Sequence, residues 1–170
     1  MISALDKKAA GLAFVLGVVT IAAAWGSQLW GGLVPCELCL GERMPYYYGL
    51  PILAVILLLW NRLPLAVWYI GMIAVAAIFV WSIYLGAYHA GVEWKFWQGP
   101  TACTGNTGAI DLTQLNDLNA VKIVQCDQIQ FQFLGISLAG YNALVSLVIV
   151  VLIGIALLDQ RRRGMVAKAA

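Results

Sequence analysis

Two cysteines separated by two residues, Cys36 and Cys39, stand shortly before an arginine, Arg43. A disulfide across so short a loop adds little entropic stability, and this spacing is typical of dithiols that exchange with other thiols. The thiolate is the nucleophile in exchange, and a nearby cation favours it. Arg43 can serve as that cation because its guanidinium does not lose its proton. The segment therefore predicts thiol–disulfide chemistry.

The other two cysteines, Cys103 and Cys126, lie in one later polar segment. Four cysteines allow three pairings, and the sequence leaves the choice open. Proximity favours Cys36 with Cys39, and Cys103 with Cys126. A purely structural role remains an alternative for the later pair, because closing its loop would contribute roughly 3 kcal/mol.

Zinc binding is an alternative use of the first pair. Cys36 and Cys39 could be joined by His89 and Glu93, which share a face if their segment is helical. Closed zinc sites usually add a second closely spaced Cys or His pair, and the two later cysteines are far apart in sequence. We therefore expect no metal site.

The composition indicates a membrane protein. Hydrophobic residues make up 62% of the chain and charged residues 11%, whereas soluble domains are roughly 25% charged. A helix needs about 20 mainly apolar residues to cross the hydrocarbon core. Four segments are apolar enough and contain no Lys, Arg, Asp or Glu, and we expect one all-α domain whose four spans form a bundle. They are residues 9–29, 45–60, 65–88 and 133–158.

The distribution of basic residues predicts the orientation, because cytoplasmic loops retain Lys and Arg. Seven basic residues fall on one side of the four spans and three on the other. The seven are Lys7, Lys8, Arg62, Arg161, Arg162, Arg163 and Lys168; the three are Arg43, Lys95 and Lys122. Both termini are therefore expected in the cytoplasm, with residues 30–44, residues 89–132 and all four cysteines outside. No basic face is left to suggest nucleic acid.

The first span has a second interpretation. Lys7, Lys8 and the small residues 22–24 imitate a secretory signal peptide with a cleavage site. The apolar stretch continues to Leu29, which favours a membrane span. Cleavage would leave the cysteines on the same side.

The second outer loop has a helix signal of its own. Asp111 begins a segment that resembles a capping box, and leucines at 112, 115 and 118 follow at helical spacing. This predicts a short amphipathic helix between Cys103 and Cys126, lying on the membrane surface.

A helix that begins near Pro35 would place Cys36, Cys39 and Arg43 on one stripe. The helix N-terminus would then add its positive dipole to the charge of Arg43 beside the sulfurs. The alternative is that Arg43 only snorkels to the lipid headgroups, as arginines near span ends do. The shared stripe favours the chemical role.

Residues 36–43, CELCLGER, resemble the Cys-x-x-Cys-x-x-x-Arg signature of the DsbB family of bacterial disulfide bond formation proteins. Residues 88–94 (YHAGVEW), 99–103 (GPTAC) and 133–137 (FLGIS) are similar to that family too. The resemblance covers nearly the whole chain, including the order of all four cysteines. Gly41 and residues 131–133 (FQF) depart from the family pattern.

The resemblance implies a membrane thiol:quinone oxidoreductase. A reduced DsbA-like partner, a periplasmic thioredoxin-fold oxidase, would attack the Cys103 to Cys126 disulfide at Cys103. Cys126 would then attack Cys36 and release Cys39 as a thiolate.

The resemblance also implies the acceptor and the compartment. The electrons would pass to a quinone from the membrane pool, ubiquinone in preference to menaquinone, with Arg43 stabilising negative charge and His89 beside the ring. The protein would lie in the bacterial inner membrane with its active site on the periplasmic face.

Two other classes of function stay open. A non-enzymatic four-helix scaffold with structural disulfides would not exchange with soluble thiols. A transporter would need ionisable groups within its spans, where the sequence offers only Asn142 and scattered hydroxyls.

Overall fold

Four helices and one short hairpin make up the computed structural model, which describes residues 5–100 and 125–169, with side chains up to Arg163. The helices are α1 (Leu5–Leu29), α2 (Glu37–Leu58), α3 (Leu65–Glu93) and α4 (Leu138–Ala169). The hairpin strands β1 (Gln132–Phe133) and β2 (Ile136–Ser137) immediately precede α4.

The helices pack in a ring. Each helix contacts its neighbours in the chain, α4 closes the ring against α1, and α2 and α4 barely touch across it. The short turn between α2 and α3 makes those helices antiparallel neighbours. The fully buried centre is apolar, with Phe79, Leu53, Met72, Ile149 and Ile153 among its largest members. Within the described residues, this arrangement agrees with the expected all-α bundle of four long helices.

Three of the four described helices are long and apolar enough to cross a membrane: α1, α3 and α4. Their outward faces carry exposed apolar side chains such as Val19, Ile70 and Val151. Helix α2 falls short in apolar character because its first turns contain Glu42, Arg43 and a run of tyrosines. The start of α2 therefore brings charged and polar side chains into a bundle whose other helices are mainly apolar.

A glycine sets the distance between α3 and α4. A Cβ atom at Gly86 would lie 2.8 Å from the Ala143 nitrogen and 2.9 Å from the Ala139 oxygen, both backbone atoms. Small residues allow membrane helices to approach this closely. The glycine thus brings the end of α3 near the start of α4.

The start of α4 differs from the sequence expectation. The expected span began at residue 133, but residues 132–137 form a hairpin that pairs Phe133 with Ile136. Leu134 and Gly135 form its turn with φ values of 50° and 80°, the left-handed conformation that two-residue hairpins require. An apolar run does not by itself separate strand from helix. The amphipathic helix expected after Asp111 lies outside the described residues.

Ion pairs join the start of α1 to the end of α4. Arg163 pairs with Asp6 and, at 3.0 Å, with Asp159. Asp6 is buried. We call these three residues the terminal clasp, and the end of the bundle that contains them the terminal end. The start of α1 and the end of α4 therefore lie on the same side of the bundle.

Candidate functional site

The first cysteine pair lies at the start of α2. Cys36 is the N-cap residue, with φ −77° and ψ 173°, and its Sγ accepts a hydrogen bond from the Cys39 backbone N–H at 3.1 Å. The two residues form a disulfide, with their Cα atoms 5.0 Å apart. The helix thus begins within the cysteine motif, so that Cys39 and Arg43 follow on successive turns. We call this the cysteine end of the bundle.

Cys126 packs beside that disulfide. It is 1% exposed and forms one buried cluster with Cys36, against which Leu38 and Cys39 also pack. Cys126 is itself disulfide-bonded. Its expected partner, Cys103, lies outside the described residues. The structure therefore brings three of the four predicted cysteines together.

His89, on the last turns of α3, faces the same sulfur. Its Nε2 atom lies 3.7 Å from Cys36 Sγ, and its Nδ1 atom lies 2.5 Å from Glu42 Oε1. His89 also hydrogen-bonds the backbone of Cys126, and Glu93 Oε1 lies 3.9 Å from Nε2. The ring is 3% exposed. The histidine is thus held between both disulfide-bonded segments and a buried carboxylate.

Arg43 is directed toward α1. Its Nη1 donates to Gln28 Oε1 at 2.8 Å and its Nη2 donates to the Ala24 oxygen at 3.1 Å. The guanidinium also lies 5.3 Å from the ring centre of Trp25, within the range of a cation–π contact. Arg43 is only 8% exposed. Its charge is therefore fixed inside the bundle.

A cavity of about 420 Å³ opens beside these groups. We call it the disulfide cavity. Apolar residues of α1 and α4 provide much of its wall, and its polar side consists of Cys36, Cys39, Glu42, Arg43, His89 and Glu93. Gln128, Gln130 and Phe131 also line it, and Gln130 Nε2 donates to the Val34 oxygen at 2.8 Å. A drug-sized molecule fits such a volume.

Within the described residues, two polar groups in this wall have one atom without a hydrogen-bond partner. They are Glu93, through Oε2, and Asn142, through Nδ2. Asn142 Oδ1 is occupied, because it accepts from the Tyr46 hydroxyl at 2.6 Å. Buried polar atoms usually find partners. A cavity occupant would satisfy both atoms if it offered a donor to Glu93 Oε2 and an acceptor to Asn142 Nδ2.

The zinc alternative can be compared with the geometry. One ligand atom from each of Cys36, Cys39 and His89 lies within 4.8 Å of the others. The two sulfurs are joined in a disulfide, however, and zinc binds thiolates. The arrangement in this structure is therefore that of a disulfide beside an imidazole.

Sequence reasoning missed Glu42 as the partner of His89 and Gln28 as the partner of Arg43. Glu42 carried a usable signal: an acid just inside an apolar helix is costly unless it has a partner. Gln28 carried none, because its pairing depends on the packing of α1 against α2.

Three spanning helices, with a bonded Cys-x-x-Cys pair packed against a further bonded cysteine, define a multi-pass membrane protein of the thiol–disulfide class. The family model described as disulfide bond formation protein DsbB matches residues 6–156. The match covers most of the chain, so the protein belongs to the DsbB family, and the resemblance carried by residues 36–43 is confirmed. No curated protein and no solved structure matches it significantly. Family membership indicates a membrane protein of disulfide bond formation.

Proposed function

We propose that this protein is a thiol:quinone oxidoreductase that reoxidises a DsbA-like dithiol oxidase. The observation that carries the proposal is the burial of Cys126 against the Cys36–Cys39 disulfide beside a cavity. Two disulfide-bonded segments in contact can pass an electron pair by exchange, since exchange requires one sulfur to reach another.

In the proposed relay, the soluble dithiol attacks at Cys103 and reduces the disulfide that Cys103 shares with Cys126. The Cys126 sulfur then bonds to Cys36 and breaks the Cys36–Cys39 bond. Cys39 leaves as a thiolate in the wall of the disulfide cavity. Cys103 then displaces Cys36 from Cys126 and restores the Cys103–Cys126 disulfide. The Cys36 and Cys39 pair gives two electrons and two protons to one quinone, which becomes quinol as the Cys36–Cys39 disulfide re-forms.

The character of the cavity supports a quinone as acceptor. Its volume of about 420 Å³ suits a small aromatic headgroup, and the apolar wall from α1 and α4 suits a lipid-soluble tail. Arg43 offers a fixed positive charge for the anion on Cys39 and for the charge that develops on the ring. We propose ubiquinone in preference to menaquinone.

The orientation belongs to the proposal as well. The basic residues near the terminal end favour a cytoplasmic location for both termini. The cysteine end, with its periplasmic loops at residues 30–44 and 89–132, then faces an oxidising compartment outside the bacterial inner membrane, where disulfides persist. The whole of residues 1–170 would act as one membrane domain with spans close to the four described helices.

Purified protein, a quinone analogue and a reduced dithiol partner test this function through quinol formation. Wild-type protein should turn over, and Cys39→Ser should abolish turnover because no sulfur remains to deliver electrons to the cavity. Wild-type protein that exchanges with no soluble thiol would favour the alternative of a non-enzymatic membrane scaffold with structural disulfides. Full turnover by Cys39→Ser would reject the assigned site.

A further inference from the structure

We propose that His89 is the catalytic base of the internal disulfide exchange and that Glu42 is its positioning residue. This inference rests on the proposed relay, in which Cys126 attacks Cys36. It gives His89 a role in sulfur chemistry in addition to its expected place beside a quinone.

The position of His89 is the first part of the argument. The residue hydrogen-bonds the backbone of Cys126 and has Nε2 3.7 Å from Cys36 Sγ. The imidazole therefore lies against the backbone of Cys126, the attacking residue, and beside the sulfur of Cys36, which is attacked. A general base must lie within hydrogen-bond reach of the proton that it removes, either directly or through one water molecule.

Glu42 determines which nitrogen is available. We assign the proton between Glu42 Oε1 and His89 Nδ1, which are 2.5 Å apart, to the imidazole, because a carboxylate accepts hydrogen bonds and a neutral imidazole donates one. Nε2 is then left to take up a proton. It lies 3.7 Å from Cys36 Sγ, and the Cys126 backbone oxygen accepts a hydrogen bond from the ring once Nε2 is protonated. The same carboxylate stabilises the imidazolium that forms when Nε2 takes up a proton.

The proposed step balances as follows. Cys126 gives its thiol proton to His89 Nε2 while its sulfur forms a bond to Cys36 Sγ. The Cys36–Cys39 bond breaks, and Cys39 leaves with the electron pair as a thiolate. Cys126 is oxidised, Cys39 is reduced, and the thiolate and imidazolium charges sum to zero.

Among the described residues, the charged groups around this ring come from two helices. Helix α2 contributes Glu42 and Arg43, and the hydrogen bonds of Arg43 go to α1. Helix α3 contributes Glu93, whose Oε1 lies 3.9 Å from Nε2. Glu93 stands on the Nε2 side and Glu42 on the Nδ1 side, so replacing Glu42 alone removes the contact that orients the ring.

The internal exchange can be measured separately from quinone chemistry. Full-length protein free of quinone is mixed with one equivalent of a reduced dithiol protein, quenched with acid and alkylated, and the appearance of a modifiable Cys39 is followed by mass spectrometry. His89→Ala should slow this step about 100-fold, within the range for general base catalysis. Imidazole added to the buffer should restore most of the rate. Glu42→Gln should slow it roughly tenfold or more.

Controls separate catalysis from folding. His89→Gln keeps a polar side chain of similar size, and it should be as slow as His89→Ala while its Cys36–Cys39 disulfide still forms. Arg62→Gln removes an exposed charge from the turn that follows α2, and its rate should stay close to that of wild type. Wild-type exchange rates in both His89 variants would overturn the inference, as would a loss in His89→Ala that imidazole does not restore.

These measurements distinguish a failure of this inference from a failure of the proposed function. If wild-type protein makes quinol while exchange is indifferent to His89, only the present inference falls. If exchange depends on His89 but no quinol forms, the acceptor is wrong and the base remains.

Discussion

At the terminal end, Asp6 and Asp159 hold Arg163, whereas at the cysteine end Glu42 holds His89 beside a disulfide and a cavity. Helix α1 spans 25 residues between these ends, roughly 35 Å at helical rise. Both ends bury charged groups. The cysteine end adds a disulfide and a space for a second molecule, so a buried charge by itself is a poor guide to chemistry.

The largest expected contrast concerns two arginines of different surroundings, the buried Arg43 and the exposed Arg62. Arg43→Ala should lower quinol formation about 100-fold, because it removes a fixed cation that stabilises developing negative charge. The matched control is Arg62→Ala in the exposed turn after α2. Steady-state kinetics at several quinone concentrations provide the measurement. Equal turnover by both variants would remove Arg43 from the site.

Breaking the terminal clasp should lower stability and leave turnover unchanged, the opposite of the result expected for Arg43→Ala. Asp6→Asn replaces a buried carboxylate that pairs with Arg163, and we expect a loss of about 1–3 kcal/mol in the free energy of unfolding. Turnover per folded molecule should stay at the wild-type value. Thermal unfolding in detergent, with quinol formation measured on the same sample, provides the comparison. Lost turnover at unchanged stability would mean that the two ends communicate.

A smaller effect is expected where the cavity meets the core. Tyr46→Phe removes the hydroxyl that donates to Asn142 Oδ1 at 2.6 Å and leaves that oxygen without its donor. The free energy of unfolding should fall by about 1–2 kcal/mol. Denaturant titration in mixed micelles measures it, and Tyr48→Phe at an exposed position of the same helix is the control. An unchanged stability would show that the hydroxyl contributes nothing to the packing of α2.

The smallest expected effect concerns residues 125–131, the segment that contains Cys126 and lines the disulfide cavity. Gln130→Ala removes the hydrogen bond to the Val34 oxygen, worth about 0.5–1.5 kcal/mol. After reduction, Cys126 should react several-fold faster with a bulky alkylating reagent. The reason is that residues 125–131 would separate more easily from the connection between α1 and α2, which contains Val34. Gln128→Ala is the control, because among the described residues its side chain hydrogen-bonds Gln125, which belongs to the same segment. Equal alkylation rates would mean that other contacts hold the segment.

Much of the fold was predictable because long uncharged apolar runs have few stable solutions other than membrane helices. The hairpin at residues 132–137 was not, since its apolar residues fit the end of a span equally well. The Gly86 contact was hidden for a different reason: the sequence does not say which backbone faces a glycine.

The candidate site divides in a similar way. Cys36, Cys39 and Arg43 were found because their spacing within one helix is local information. Glu42 and His89 are on different helices, and their contact depends on the register of α2 against α3, which the sequence does not supply. The proximity of Cys126 to Cys36 likewise depends on how the second loop returns to the bundle.

Cys36 both caps α2 and belongs to the disulfide. When that bond opens, its sulfur can continue to accept the Cys39 N–H, and as an anion it would be a stronger acceptor. In the proposed relay, oxidation and reduction would therefore alternate at the tip of α2 without unwinding it. Only a few side-chain atoms would change partners, an arrangement that suits repeated turnover within a lipid bilayer.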